Sequence, residues 1–245
     1  MRVDRFDRLN LLYGAAGLEK LRNKSVAVFG LGGVGSYAAE GLVRGGLGRL
    51  TLIDFDQVDI TNLNRQVHAV AATVGQAKAR AMAERCRAIN PDAQIEPIEI
   101  LFSAENSSEL LAPGYDYVLD CIDQVTAKLH LIESCHNSDL KLISSMGAAN
   151  KIDPTRIRVD DLEKTRKCRL ARIIRKELRK RGIEHGIKVV YSLEGFRPLA
   201  EGRRDAEEDA SYQDRRAPLG SSSVIPPMFG LTMAGEVIRD LLGAD

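Results

Sequence analysis

Residues 25–35 read S-V-A-V-F-G-L-G-G-V-G, a short apolar run that ends in a glycine-rich turn. The run predicts a buried strand over Ser25–Gly30, and the residues after the turn predict a helix over Ser36–Arg44. A glycine turn lets the backbone approach a phosphate closely, and the helix N-terminus favours an anion. The glycines concerned are Gly30, Gly32, Gly33 and Gly35. This pattern predicts a nucleotide site, and by itself it fits NAD, FAD or ATP.

Strands and helices alternate on both sides of this turn. Such alternation predicts an α/β fold, a Rossmann-like doubly wound, mostly parallel sheet with a C-terminal extension that carries a basic helix. We expect residues 1–152 to form an N-terminal arm and the nucleotide-binding region, and residues 153–245 to form a substrate region within the same domain. The further strands are predicted at Leu50–Asp54, Ile95–Leu101, Tyr117–Asp120, Lys141–Ser144 and Ile187–Ser192. The further helices are predicted at Arg5–Lys20, Lys78–Ile89, Ala127–His136 and Met228–Leu242.

Composition narrows the class of protein. A net charge of +1 over 245 residues predicts no global attraction to nucleic acid, so any basic surface must be local. The four cysteines form no CxxC pair, which favours reduced thiols in a cytoplasmic protein over a structural zinc or a disulfide framework. The charged N-terminus lacks the apolar run of a signal peptide, and the longest uncharged stretch, 217–235, contains three prolines, which argues against a membrane span. The charged segment 201–216 is poor in apolar residues and is predicted to be a mobile loop.

Polar residues after the second strand separate the candidate nucleotides. Asp54 ends that strand, where a carboxylate would bind a ribose hydroxyl. A triphosphate under attack also needs cations for the charge that develops on the leaving pyrophosphate, and a diphosphate cofactor does not. Asp123 follows another predicted strand at the same edge and could hold magnesium. The remaining candidates are Asp56, Asn62, Asn64, Arg65, Gln66 and Lys78.

Five stretches carry a resemblance to known proteins. They read G-L-G-G-V-G, L-I-D-F-D-Q-V, N-L-N-R-Q, T-V-G-Q-A-K and L-D-C-I-D. The chain resembles the ATP-dependent adenylating enzymes related to the ubiquitin-activating enzymes. The resemblance implies that Asp54 binds the ribose, that Asn62, Arg65 and Lys78 contact the phosphates, and that Asp123 places magnesium. Arg8, in R-F-D-R-L, matches an arginine that reaches the ATP of a neighbouring subunit, which implies a homodimer.

The second half resembles one branch of these enzymes, the tRNA threonylcarbamoyladenosine dehydratase family. The matching stretches are I-D-P-T at 152–155, V-V-Y-S-L-E at 189–194 and G-S-S-S-V-I-P-P-M-F-G at 220–230. This resemblance implies ATP-dependent cyclisation of threonylcarbamoyladenosine in tRNA through an acyl-adenylate of the threonyl carboxylate. Because the attacking nitrogen is already tethered, no enzyme nucleophile is required. The alternatives are adenylation of a ubiquitin-like sulfur carrier and an NAD-binding protein. Docking of a cysteine-desulfurase partner and a site for a monovalent cation stay open.

Residues 164–181 contain ten Lys or Arg. Leu170, Ile173, Ile174 and Leu178 recur at helical spacing, so we expect an amphipathic helix with one buried stripe. An 18-residue helix would extend about 27 Å, enough to follow several phosphates. The cations predicted to bind tRNA are Arg166, Lys167, Arg169, Arg172, Arg175, Lys176 and Arg179.

Overall fold

The computed structural model describes residues 4–195, 197 and 219–243. The predicted loop at 201–216 lies outside these residues. The strands are β1 (Ser25–Phe29), β2 (Arg49–Ile53), β3 (Gln94–Ile98), β4 (Tyr117–Asp120), β5 (Leu142–Ser145), β6 (Ile157–Asp161) and β7 (Lys188–Ser192). The α-helices are α1 (Asp7–Arg22), α2 (Gly35–Arg44), α3 (Lys78–Ile89), α4 (Ser107–Leu111), α5 (Val125–Asn137), α6 (Arg169–Arg179) and α7 (Ile225–Leu242).

The strands form one sheet in the order β3-β2-β1-β4-β5-β7-β6. Every neighbouring pair is parallel except β6 and β7, which are antiparallel. The predicted α/β class and doubly wound sheet are confirmed. The chain moves outward from β1 in both directions, so the switch point of this sheet lies between β1 and β4, where open α/β sheets bind ligands outside the carboxyl ends.

Helices α2 and α7 lie together on one face of the sheet in close backbone contact. A Cβ added at Gly230 of α7 would lie 2.2 Å from the Val34 carbonyl oxygen and 2.8 Å from the Ala38 nitrogen. The start of α7 also lies beside the glycine turn, because a Cβ added at Gly33 would be 2.8 Å from Cβ of Pro226. The second half of the chain thus reaches the predicted nucleotide site. No helix of the described segments has the length and apolarity needed to cross a membrane.

Helix α1 lies near the amino ends of the strands, whereas the glycine turn lies at their carboxyl ends. Its last residue comes just before β1 begins, and its Lys20 Nζ donates to the Leu242 carbonyl oxygen, 3.0 Å away, at the end of α7. Near its other end, Arg5 Nη1 donates to Asp92 Oδ2 at 2.7 Å, just before β3 begins. Both ends of α1 therefore lie near the amino ends of the strands.

Helix α6 differs from its prediction. It begins at Arg169, so residues 164–168 lie outside it and the helix has 11 residues. Ala171, Ile174 and Leu178 are buried, whereas Ile173 is 44% exposed, so its place in the buried stripe was wrong. The preceding residues fold differently because Leu162–Lys164 form a short 3-10 helix that Asp161 caps through the Glu163 nitrogen.

Candidate nucleotide site

The glycine turn is packed so closely that a side chain at Gly30, Gly33 or Gly35 would displace a neighbouring atom. Gly30 has φ +88°, and a Cβ there would lie 2.9 Å from the Cys121 carbonyl oxygen. A Cβ at Gly35 would lie 1.8 Å from the Gly30 carbonyl oxygen. Gly32, by contrast, faces open space. The turn therefore lies directly against the segment that follows β4, and one side of it is free to receive a ligand.

Asp54 joins the turn to the end of β2. Its Oδ2 accepts the Leu31 nitrogen at 2.6 Å, and its Oδ1 accepts the Asp56 nitrogen at 2.8 Å. The side chain is buried, and burial raises the pKa of Asp54 above its ordinary value, while the two backbone N–H groups act in the opposite direction. Each carboxylate oxygen keeps a further lone pair, so the group can still accept a ribose hydroxyl.

Asp56 links Lys78 to Asp54, since its side chain pairs with Lys78 and its nitrogen donates to Asp54. Lys78 is the first residue of α3 and is buried, and its Nζ lies 2.8 Å from Asp56 Oδ2. Its own nitrogen also donates to the Asp56 carbonyl oxygen, 2.9 Å away. The start of α3 thus places a buried cation close to Asp54.

The segment N-L-N-R-Q, at 62–66, lies over the turn and is held by its own hydrogen bonds. Asn62 Oδ1 accepts the Asp59 nitrogen at 3.1 Å as part of a capping box. Arg65 packs against the turn, because a Cβ at Gly33 would be 3.2 Å from its Cγ. Its Nη1 donates to the Thr61 carbonyl oxygen at 2.8 Å and to Asn64 Oδ1 at 2.9 Å. One further cation is therefore held at the glycine turn.

Two residues of this region are buried with polar atoms that have no hydrogen-bond partner among the described residues. They are Gln66, at Oε1, and His68, at both ring nitrogens. Burial, together with the charges of Lys78 and Arg85, lowers the pKa of His68 to about 4. Gln66 is among the residues predicted from sequence and His68 is not, because a histidine within an apolar stretch gives no signal of its own.

Asp123 is exposed in the segment that touches the turn. A Cβ at Gly30 would lie 3.2 Å from the Ile122 nitrogen, and this nitrogen donates to Asp120 Oδ1 at 3.1 Å. Asp120 is fully buried, and its Oδ2 accepts Lys128 Nζ at 2.7 Å and Ser144 Oγ at 2.6 Å. This ion pair, which the sequence analysis missed, fixes the backbone from which Asp123 projects. The described residues contain no group of three side chains suited to bind a metal.

Arg8 does not join these residues within one chain. It is exposed on α1, whose two ends lie near the amino ends of the strands. The other candidates surround the carboxyl ends of β1, β2 and β4. The structure thus brings together the turn, Asp54 with Lys78, Arg65 and the Asp123 segment, and it leaves Arg8 apart.

The cations of 166–179 fall into two groups. Arg175 is partly buried, and its Nη1 donates to Thr165 Oγ1 at 2.7 Å and to the Thr165 carbonyl oxygen at 3.0 Å. The start of α6 lies near the carboxyl end of β5, because a Cβ at Gly147 would be 3.6 Å from Cys168 Sγ. The exposed members are Arg166, Lys167, Arg169, Arg172, Lys176 and Arg179.

The cysteines are free thiols, and three of them are buried. Burial raises the pKa of Cys86 and Cys135 to about 12, and it raises the pKa of Cys121 well above its ordinary value. Cys168 Sγ accepts the Ala171 nitrogen at 3.5 Å at the start of α6. Cys121 is the thiol that touches the turn, and as a neutral thiol it is a poor nucleophile.

The sheet, its switch point and the glycine turn define a doubly wound α/β protein of the nucleotide-binding class. A family model described as the ThiF family matches residues 6–245. The chain therefore belongs to the ThiF family, and within it to the tRNA threonylcarbamoyladenosine dehydratase family, as its full-length relatives show.

Two similar proteins, one of them also compared as a solved structure, support this membership. The tRNA threonylcarbamoyladenosine dehydratase of Bacillus subtilis is 43% identical over 98% of this chain and 95% of that protein. The protein of the same name from Escherichia coli is 35% identical over 97% of this chain and 93% of that protein. The solved structure of the E. coli protein in complex with ATP superposes with a TM-score of 0.86 at 34% identity, over 98% of this chain and 94% of that one.

Proposed function

We propose that this protein uses ATP to cyclise threonylcarbamoyladenosine in tRNA. The observation that carries the proposal is the single edge of the sheet at which the glycine turn, Asp54, Arg65 and Asp123 lie together. Two relatives that bear the dehydratase name match nearly the whole chain, and the E. coli one has been solved with ATP and with AMP. The chain is thus similar along its whole length to enzymes of this activity.

Each residue of the site has a task in the first half of the reaction. The threonyl carboxylate attacks the α-phosphorus of ATP, an acyl-adenylate forms and pyrophosphate leaves. Asp54 accepts a ribose hydroxyl, and the N–H groups of the turn bind phosphate oxygens. Arg65 and Lys78 neutralise the charge that develops on the pyrophosphate, and Asn62 lines the same side. Asp56 holds Lys78 in place through their 2.8 Å ion pair, and Gln66 is a further candidate contact because its buried Oε1 has no hydrogen-bond partner among the described residues.

Magnesium fits the Asp123 segment. This ion usually takes one or two carboxylates together with substrate phosphates, and Asp123 is an exposed carboxylate directly beside the phosphate turn. When bound, magnesium would supply Lewis-acid stabilisation of the phosphate oxygens. Asp120, paired with Lys128, keeps the segment in position.

The second half of the reaction is ring closure. The tethered nitrogen attacks the activated carbonyl carbon and gives up its proton, and AMP leaves with the oxygen that came from the carboxylate, so the net change in the nucleoside is the loss of one water. Proximity supplies most of the acceleration of such a step. The Cys121 thiol, whose pKa burial raises, is not needed as a nucleophile.

We assign tRNA binding to the exposed cations around the start of α6. Arg166, Lys167, Arg169 and Arg172 lie toward the edge of the sheet that carries the nucleotide site, and Lys176 and Arg179 continue the surface along the helix. Arg175 is excluded from this surface because its guanidinium holds Thr165. Charge reversal at the four cations nearest the start of α6, Arg166, Lys167, Arg169 and Arg172, is expected to weaken tRNA binding and to reduce the salt dependence of the affinity.

We also propose a homodimer in which Arg8 completes the partner's site. Arg8 lies on α1, whose ends are near the amino ends of the strands, away from the glycine turn of its own chain. On the same helix, Leu11 is 81% exposed and Leu12 is 72% exposed. Exposed apolar side chains of this size mark an interaction surface. The free thiols and the use of ATP favour the cytoplasm as the location.

The test of the function is a comparison of substrates. Purified protein with ATP and magnesium is given tRNA that carries threonylcarbamoyladenosine, the same tRNA without the modification, or a ubiquitin-like sulfur carrier. We expect AMP and pyrophosphate only with the modified tRNA. Pyrophosphate release that depends on the carrier would favour the sulfur-carrier alternative, which the absence of CxxC pairs disfavours.

A further inference from the structure

We infer that Asn64 is a positioning residue: its side-chain amide ties Arg65 to the segment that leads into α7. Asn64 Oδ1 accepts Arg65 Nη1 at 2.9 Å, and Asn64 Nδ2 donates to the Ser221 carbonyl oxygen at 2.9 Å. Only one orientation of the amide satisfies both partners, since the arginine can only donate and the carbonyl can only accept. Asn64 thereby bridges two parts of the chain that are 157 residues apart.

The far side of this bridge is itself anchored at the carboxyl edge of the sheet. The Asn150 nitrogen donates to the Gly220 carbonyl oxygen at 2.8 Å, one residue before Ser221. Asn150 is buried with φ +55°, a conformation that asparagine tolerates better than most residues. The loop after β5 therefore holds Gly220, and Ser221 in turn presents its carbonyl oxygen to Asn64.

The near side of the bridge ends at the phosphate turn. Arg65 packs on Gly33, and Pro226, five residues after Ser221, packs on the same glycine. The guanidinium is thus fixed by Thr61 and Asn64 on one side of the turn, while α7 begins on the other. Because its amide is engaged at both ends, Asn64 fixes the position of Arg65 relative to the segment that leads into α7.

This inference rests on the proposed role of Arg65 and is tested by a double-mutant cycle. The rate of AMP formation with modified tRNA is measured for the wild type, Asn64→Ala, Arg65→Ala and the double variant. We expect Asn64→Ala to lower the rate by about tenfold, as loss of a hydrogen bond to a charged group should. Because Asn64 acts only through Arg65, Asn64→Ala should change the rate of the Arg65→Ala variant by less than twofold.

Asn23→Ala serves as the matched control. Asn23 is also exposed, donates its amide to the Glu19 carbonyl oxygen at 2.9 Å and lies at the opposite edge of the sheet, so its loss should leave the rate unchanged. Chemical denaturation of each variant checks that the fold is retained. If the effects of Asn64→Ala and Arg65→Ala multiply, or if Asn64→Ala is as fast as the wild type, the inference is overturned. If Arg65→Ala itself is as fast as the wild type, the proposed role of Arg65 fails and the inference fails with it.

Discussion

Asp123 and Arg65 carry opposite charges on two segments that touch the same glycine turn. Arg65 lies against Gly33, and the Asp123 segment lies against Gly30. Neither side chain is fully buried, so neither is a main part of the core. Their value lies in the charge that each offers to a bound triphosphate, and their loss should affect the reaction more than the fold.

Substitution of Asp123 tests this division. Asp123→Ala should lower the rate of AMP formation by about a hundredfold, because electrostatic stabilisation of the transition state is lost. The free energy of unfolding should change by less than about 0.5 kcal/mol, as is usual for an exposed position. Asp92→Ala, which removes an exposed carboxylate at the opposite edge, should leave the rate unchanged. A loss of folding stability large enough to explain the loss of rate in Asp123→Ala would contradict the assignment.

The kinds of residue at the site could be predicted from sequence, but their partners could not. Spacing from the glycine turn points to Asp54, Arg65 and Lys78, since a ribose acid and phosphate cations belong there. The bridge through Asn64 depends on Ser221, which is distant in sequence and comes close only when α7 packs on α2. Sequence also could not show that Arg175 contacts Thr165, because this contact depends on the turn before α6. Arg175 was therefore grouped with the cations predicted to bind tRNA.

At the scale of elements, the buried His68 lies close enough to Lys78 and Arg85 of α3 for their charges to act on its ring. Its pKa of about 4 is below the ordinary value of 6.5, so the folded state binds fewer protons than the unfolded state between these two values. The contribution of the neutral His68 to the free energy of unfolding is therefore fully present above pH 6.5 and is lost as the pH drops toward 4. From the width of this shift, the free energy of unfolding should be about 2 kcal/mol lower at pH 5 than at pH 7.5.

Denaturation of the wild type and of His68→Leu at these two pH values measures this effect. The variant should lose most of the pH dependence between pH 5 and 7.5, since leucine cannot be protonated. The carboxylates with lowered pKa values, such as Asp116, titrate below this window in both proteins. An unchanged pH dependence in His68→Leu would show that His68 is not the group responsible.

The contact between α7 and α2 allows a second comparison at this scale. Gly230→Ala should lower the free energy of unfolding by about 2–4 kcal/mol, because the new methyl group would overlap the Val34 carbonyl oxygen. Gly235→Ala on the same helix has open space at the Cβ position and should be neutral or stabilising by about 0.5–1 kcal/mol. Thermal or urea unfolding measures both. Equal effects of the two substitutions would contradict the close packing described.

Some elements agree with their prediction in full, and the others deviate for local reasons. The predicted bounds of α3 and β4 are confirmed, and α3 ends before Asn90-Pro91 as a helix should before a proline. Strand β6 was not predicted: its sequence I-R-V-D-D is short and polar, and it forms as an antiparallel edge strand on β7. Helix α6 is shorter than predicted because charge periodicity does not reveal the 3-10 turn at Leu162–Lys164.

At the scale of the whole molecule, Arg8 gives a test of the proposed dimer. Arg8→Ala and Arg65→Ala homodimers should each be impaired, since each lacks one cation at both composite sites. When the two variants are unfolded together and refolded, half of the dimers should be mixed, and each of these has one intact site. The mixture should therefore regain about a quarter of the wild-type rate of AMP formation. A mixture that is no faster than its parents would contradict a shared site.

The most direct test of the central claim follows the oxygen that leaves the carboxylate. Modified tRNA is prepared with ¹⁸O in the threonyl carboxylate and incubated with the protein, ATP and magnesium, and AMP and tRNA nucleosides are analysed by mass spectrometry. If the carboxylate is adenylated and the ring then closes, AMP carries one ¹⁸O and the nucleoside has lost one labelled water. Unlabelled AMP, or a nucleoside of unchanged mass, would contradict the proposed cyclisation.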